Sequence, residues 1–251
     1  MTEYIRRNGR VLECVIATEA RGSSLDREAT REATAAITAI ASDNSAGCVL
    51  LTSDGPNFCT GGDVRAFAAA ELRGAFVGSV AREFHDLVRA IAYTEVPVVA
   101  AVHGWAAGAG MSIVCACDVM VGGPATRLRP AYPSIGFSPD GGMSWTLPRI
   151  VGRSRARHIL LTDQVLTGEE ALRAGLLTRL VPDEQIDPEA RKVAEALAVG
   201  PTSAYRQIKH LLAASEHDRL DEHLALEAET IAACADSPAG RAGVDAFLAR
   251  H

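Results

Sequence analysis

Two short stretches hold residues whose types and spacing suit chemistry: Cys59-Thr60-Gly61-Gly62-Asp63 and Ala107-Gly108-Ala109-Gly110. Each follows an apolar run that reads as a strand and precedes a run that reads as a helix. A strand that hands a glycine turn to a helix N-terminus leaves main-chain N–H groups unpaired, and the positive end of the helix dipole sits beside them. Such a turn is suited to holding an oxygen that carries negative charge. Neither stretch matches GxxxxGK followed by Ser or Thr, and GWAAGAG lacks the GxGxxG spacing, so nucleotide phosphates are not the expected ligand. Close packing of a helix on a sheet also selects glycine, so one such turn alone decides little.

The remaining titratable groups have simpler readings. Asp63 suits an N-cap for the helix that follows the first turn, and Asp140, in Ser138-Pro139-Asp140-Gly141-Gly142, suits a cap for a helix starting at Gly141. Asp118 opens a strand as a local hydrogen-bonder, and His103 sits where a strand breaks. Six cysteines (Cys14, Cys48, Cys59, Cys115, Cys117 and Cys234) form no CxxC pair. Cys115-x-Cys117 has no second pair to complete a zinc site, so no metal is expected and the thiols read as buried and free in a reducing compartment.

The elements that must position the two turns follow from periodicity. Residues 3–18 read as two strands joined at Asn8-Gly9, and Asp26 as the N-cap of a helix that buries Ala29, Ala33, Ala36, Ile37 and Ile40. Gly47 to Thr52 reads as a buried strand leading to the first turn. Residues 76–94 read as an amphipathic helix with Val80, Phe84, Leu87, Val88 and Ile91 inward. Pro97 to Val102 is the strand leading to the second turn, and Asp118 to Val121 is another. The Pro- and Gly-rich segment 127–152 reads as turn with a short helix inside. Beyond Arg153 the pattern is helical except for a short strand at Thr178–Val181. This predicts an α/β core over residues 1–190 and a C-terminal helical region over 191–251.

Composition sets bounds on partners. Hydrophobic residues make up 48% and charged residues 22%, as in an ordinary globular chain. The balance of 25 basic against 31 acidic residues, net −6, and the lack of a basic run exclude a nucleic-acid surface. No apolar run is long enough to span a membrane, no signal-type core opens the chain, and Ala249-Arg250-His251 is not a peroxisomal address. A cytoplasmic setting is the expectation.

Four ordered motifs, NFCTGGDV, PVVAAVHGWAAGAGMSIVCACD, IGFSPDGG with LPRIVGRSRA, and LTGEEALRAGLLTRLV, resemble those of the enoyl-CoA hydratase/isomerase (crotonase) superfamily over nearly the whole chain. The resemblance implies a spiral of β-β-α units with a C-terminal helical region that assembles as a homotrimer or dimer of trimers. It also implies an acyl-CoA thioester substrate, and no cofactor beyond the coenzyme A that the substrate carries. Carried onto this sequence, the thioester oxygen would lie between the N–H groups of Thr60 and Ala109. Such a donor is worth ~3–4 kcal/mol of barrier when an enolate forms. The coenzyme A moiety would run along Arg21–Leu25, including Ser23 and Leu25, and along Cys59–Val64, including Gly61, Gly62 and Asp63, with Arg21 and Arg65 near its phosphates. Trp105, Gly108, Tyr132 and Pro133 complete the implied substrate-binding set.

The resemblance also shows a departure. Hydratases of the family use two glutamates, and the matching positions here are Ser112 and, approximately, Tyr132. Family isomerases carry a single acid at the position of Asp140, and one carboxylate is enough to move a proton between two carbons of an enolisable chain. The leading expectation is therefore an isomerase that shifts a C=C bond in a 3-enoyl-CoA or a ring-derived unsaturated CoA ester. Family dehalogenases offer an alternative, with nucleophilic attack by Asp140 on a CoA ester, His85 as base and Tyr132 as the aromatic neighbour. A hydratase with atypical acids and an acyl-CoA binder without chemistry are the others.

Overall fold

The computed structural model describes residues 3–43 and 45–250, the side chains of residues 42 and 43 excepted. Met1 and Thr2, and His251, read above within the C-terminal tripeptide, lie outside the described residues. In chain order the first half holds β1 (Ile5–Asn8), β2 (Val11–Thr18), α1 (Arg27–Asp43), β3 (Cys48–Asp54), α2 (Val64–Ala69), α3 (Arg73–Tyr93), β4 (Val98–Val102), β5 (Trp105–Ala107) and α4 (Ala109–Ala116). The second half holds β6 (Val119–Gly122), β7 (Arg127–Arg129), α5 (Met143–Val151), α6 (Arg153–Leu161), β8 (Leu166–Thr167), α7 (Gly168–Arg173) and β9 (Arg179–Leu180). It ends in four helices, α8 (Ile186–Ala198), α9 (Thr202–Ala214), α10 (Leu220–Asp236) and α11 (Pro238–Leu248).

The strands form two sheets. The larger runs β1-β2-β3-β4-β6-β9, antiparallel only between β1 and β2. The smaller runs β5-β7-β8, with β5 and β7 parallel, and a parallel bridge from Cys59 to Ala106 adds the segment after β3 to its edge. Each turn of the chain thus lays one strand in the large sheet, one in the small sheet, and then a helix: β3 with Cys59, β4 with β5, β6 with β7. That repeat produces the spiral, and it aligns three consecutive parallel ends in the small sheet.

Burial on both faces explains why the central strands are apolar throughout. Val49, Leu51, Val98, Ala100 and Val102 join one core with Ile37, Leu87 and Ile91 of α1 and α3. Cys48, Leu50, Val99 and Ala101 join a second core under Ile186, Ala190, Val193 and Ala194 of α8. Glu13 on β2, buried between β1 and β3, is held by Arg191 of α8 through bonds of 2.6 and 2.8 Å. The hydrogen bonds from Arg191 hold its carboxyl below the usual carboxylate range, against the cost of burial.

Several expectations are corrected in detail. The β1–β2 loop is Gly9-Arg10, since Asn8 still pairs with Val11. The helix read over 76–94 starts at Arg73, and α2 precedes it as a separate element. A boundary at 190/191 would cut α8, whose buried face runs from Ile186 to Ala198 and belongs to the core. Strands β7 and β8 escaped the pattern because three and two residues are too few to show alternation. Helices α9 to α11 bury none of their own side chains, and Lys209 ties α9 to Asp118 at 2.6 Å. No helix among the described residues is long and apolar enough to cross a membrane.

Candidate active site

The C-terminal ends of the three aligned small-sheet strands converge on one cavity of about 570 Å³. Beyond Cys59 comes the turn Thr60-Gly61-Gly62, beyond β5 the turn Gly108-Ala109, and beyond β7 the segment Ala131-Tyr132; all of these residues line the cavity. The two glycine turns touch: a Cβ built on Gly108 would lie 3.5 Å from the Cα of Gly61. Gly108 has φ +53 and ψ −120, a conformation open to glycine, and it delivers the chain into α4 with Ala109 as the first helical residue. Gly110 must also be glycine, because a Cβ there would collide with the Cys59 carbonyl and push α4 off the neighbouring segment.

The donors differ from expectation in one respect. The Thr60 N–H is already bonded to the Ser23 carbonyl at 2.8 Å, so it is not available to a ligand. The Leu25 N–H returns to the Gly61 carbonyl at 2.8 Å, which locks segment 21–25 against the turn, and the Gly61 N–H is turned to the Cys59 thiol. Among the described residues the next donor, the Gly62 N–H, has no partner, and neither does the Ala109 N–H at the start of α4. The free pair is therefore Gly62 and Ala109, with Gly62 in the place expected of Thr60.

Asp140 lines the same cavity and does not cap α5, whose N-cap is Gly142 without a side-chain bond. Its Oδ1 accepts the Tyr132 phenol at 2.7 Å. The Ser112 hydroxyl stands 3.1 Å from the Tyr132 oxygen and 3.0 Å from the Asp140 main-chain carbonyl. Burial first, and then the adjacent Asp140 charge, push the Tyr132 phenol well above its ordinary value, so it stays a donor. Tyr132 is set by the loop below it: Asp163 accepts from Arg129 (Nε, 3.1 Å) and from the Ala131 N–H (2.7 Å), and the Gly108 N–H bonds the Arg129 carbonyl at 3.0 Å. One loop thus fixes both the carboxylate's partner and the second glycine turn.

Other sequence-read residues fall into place or away from it. Leu25, Val64 and Gly108 line the cavity with Gly61 and Gly62, while Arg21 and Asp63 line a smaller recess of about 200 Å³ that shares Leu25, Gly62 and Phe67 with it. Arg21 faces Asp26 at 3.4 Å, and Asp63 caps α2 through the Ala66 N–H at 3.0 Å. Four expected contacts are corrected. Cys59 is wholly buried, its thiol pushed up to about 12 by that burial, and Ser23 is buried beneath the turn. Trp105, at the opposite end of β5 from the turn, and Pro133, on an exposed 3-10 turn, do not line the cavity. Asp118 bonds the Val98 N–H and His103 the Gly55 carbonyl, both structural roles as expected. The His85 Nε2 accepts the Gly141 N–H at 3.2 Å, behind the cavity wall.

The order of motifs, the spiral and the paired free donors meet in the comparison with known proteins. A family model described as enoyl-CoA hydratase/isomerase matches residues 8–251. The chain belongs to that family. Within the hydratase/isomerase family it is 37% identical over 204 residues to "Probable enoyl-CoA hydratase" of Rhodobacter capsulatus, covering 81% of this chain and 78% of that one. It is 34% identical over 215 residues to the 1,2-epoxyphenylacetyl-CoA isomerase of Escherichia coli K12, covering 83% and 80%. The crystal structure of an enoyl-CoA hydratase from Polaromonas sp. JS666 superposes with a TM-score of 0.92 at 27% identity, over 98% of this chain and 96% of that one. The expected crotonase-type spiral is the fold observed. Membership makes the chain an enzyme of the acyl-CoA hydratase/isomerase type.

Sequence reasoning missed the Gly62 donor and the wall formed by Phe67, Phe84 and Phe137. The first depends on a carbonyl supplied by Ser23, distant in the chain. The second is spread over α2, α3 and the loop before α5, with no common period to reveal it.

Proposed function

We propose that this enzyme isomerises an unsaturated acyl-CoA, moving a double bond from the 3- to the 2-position. The observation that carries the reading is the acid count: among the described residues that line the cavity, Asp140 is the one carboxylic acid. Addition of water in the manner of the family's hydratases asks for two. Ser112, at the first of those positions, is fully buried, and Tyr132, at the second, is a hydroxyl.

In this reading the thioester oxygen lies between the N–H groups of Gly62 and Ala109. Asp140 takes a proton from C2, the C2–H electron pair moves into the thioester, and the enolate oxygen gains the charge that the two donors stabilise. The same carboxyl returns the proton at C4 as the double bond settles between C2 and C3. No oxidant, metal or further cofactor is needed; coenzyme A belongs to the substrate and would run along 21–25 and 59–64. Tyr132 orients the base by occupying Oδ1, which leaves Oδ2 for the proton. Tyr132→Phe is expected to lower kcat by about 10–100-fold with KM little changed, since a charge-assisted hydrogen bond of this kind is worth roughly 1.5–3 kcal/mol; steady-state kinetics check it.

A panel of 2-enoyl- and 3-enoyl-CoA thioesters, assayed for hydration, isomerisation and CoA release, tests the proposal. Interconversion of the two enoyl classes supports it. A 3-hydroxyacyl-CoA product, or free CoA, contradicts it and favours a hydratase or an attack by Asp140. The exposed apolar side chains of α9 to α11, among them Ile208, Leu212, Leu224, Ile231 and Val244, suit a homotrimer or a dimer of trimers in a cytoplasmic setting.

A further inference from the structure

We infer that the acyl group this cavity takes carries a compact ring rather than a straight chain, an inference that rests on the isomerase reading of the same site. The chain is sparing with aromatic residues, only six of its 251 being phenylalanine. Four of those six gather at the cavity. Phe67, Phe84 and Phe137 line it, and Phe76 backs Phe67 edge-on, with ring centroids 6.3 Å apart and planes at 67°. Phe67 and Phe137 lie nearly parallel across 6.4 Å, at 25°. They arrive from α2, α3 and the loop before α5, so no single amphipathic face accounts for the gathering.

The rings stand next to the reacting position. The Phe84 ring packs directly on Gly141, the neighbour of Asp140, where a Cβ would meet its Cζ at 2.7 Å. Val77, Val80 and Ala81 of α3 complete an uncharged floor. Arg73, the cation on the lining, donates from Nε to the Phe67 carbonyl at 3.2 Å and from Nη2 to the Ala68 carbonyl at 3.4 Å, serving the end of α2. Aromatic walls reward a ring beyond the area buried, because face and edge carry opposite partial charge and pair in offset or edge-on geometry. A ring also has fewer rotors to freeze than a chain with the same number of carbons. Cyclohex-1-enylacetyl-CoA fits the proposed reaction: Asp140 removes a C2 proton and returns it to C4, a ring carbon, giving the cyclohexylideneacetyl ester with atoms and electrons balanced.

The test uses matched pairs with eight acyl carbons each. Inhibition constants are measured for phenylacetyl-CoA and octanoyl-CoA, and kcat/KM for cyclohex-1-enylacetyl-CoA and oct-3-enoyl-CoA. The ring member of each pair is expected to be favoured about tenfold. Phe67→Leu and Phe137→Leu, at part-exposed positions that keep an apolar side chain, are expected to bring both ratios close to one. Equal or better performance by the straight chains overturns the inference while leaving the isomerase reading intact. Ratios that survive both leucine variants overturn it as well. Tighter binding of the ring ligand, with neither enoyl ester isomerised, supports ring recognition and removes the isomerase reading instead.

Discussion

Asp140→Asn is expected to lower kcat/KM for isomerisation of a 3-enoyl-CoA by about 10²–10⁴-fold, the range typical of losing a positioned acid–base group. The change is nearly isosteric. The asparagine carbonyl still accepts the Tyr132 phenol that now sits 2.7 Å from Oδ1, so the loop and the cavity wall keep their shape. What disappears is the second oxygen as a proton acceptor. Affinity for an unreactive saturated acyl-CoA should therefore stay near that of the wild type, because the Gly62 and Ala109 donors and the segments 21–25 and 59–64 are untouched. Isothermal titration alongside steady-state kinetics separates the two effects. A variant that turns over normally would move the proton chemistry off Asp140, and one that neither binds nor turns over would indicate a structural role.

The second large effect is on the oxyanion side. Ala109→Pro replaces one main-chain donor with the proline Cδ, which also crowds the position of the thioester oxygen. Ala109 is the first residue of α4, a position where the fixed φ of proline is well tolerated and its missing N–H breaks no bond within the helix. The preceding Gly108 has no Cβ to clash with the ring. Stability should be near wild type by thermal unfolding, while kcat/KM falls by at least about 10²–10³-fold, the loss expected for one oxyanion-hole donor alone. Thr60→Ala is the informative control. It leaves every main-chain donor in place, including the Thr60 N–H on the Ser23 carbonyl, and activity should hold.

The sequence made the architecture around the site legible because the central strands are buried on both faces. Their unbroken apolar runs, each ending in a glycine turn, stand out from the alternating and helical patterns around them. The place of Asp140 on the cavity lining was legible by position, and its alternative as a helix cap is removed by Gly142 taking that place. The choice between Thr60 and Gly62 was not legible. A main-chain N–H is a ligand site only if no carbonyl claims it, and the carbonyl that claims Thr60 comes from the turn before α1. Trp105 and Cys59 failed for a related reason: both flank the right turns, but one lies at the far end of β5 and the other is sealed beneath α4. The short strand β7 could not be read from three residues, yet its end sets Tyr132 against Asp140.

In the proposed reaction one carboxylate carries a proton between C2 and C4 of an enolate held by two main-chain donors. The most direct measurement is NMR of a 3-enoyl-CoA turned over in D₂O by the wild-type enzyme, with each carbon followed separately. A 2-enoyl product is expected whose new C4 hydrogen is the protium taken from C2, with deuterium there only to the extent that the Asp140 proton exchanges with solvent before its return. A hydroxyl at C3, or release of CoA with the double bond unmoved, would contradict it.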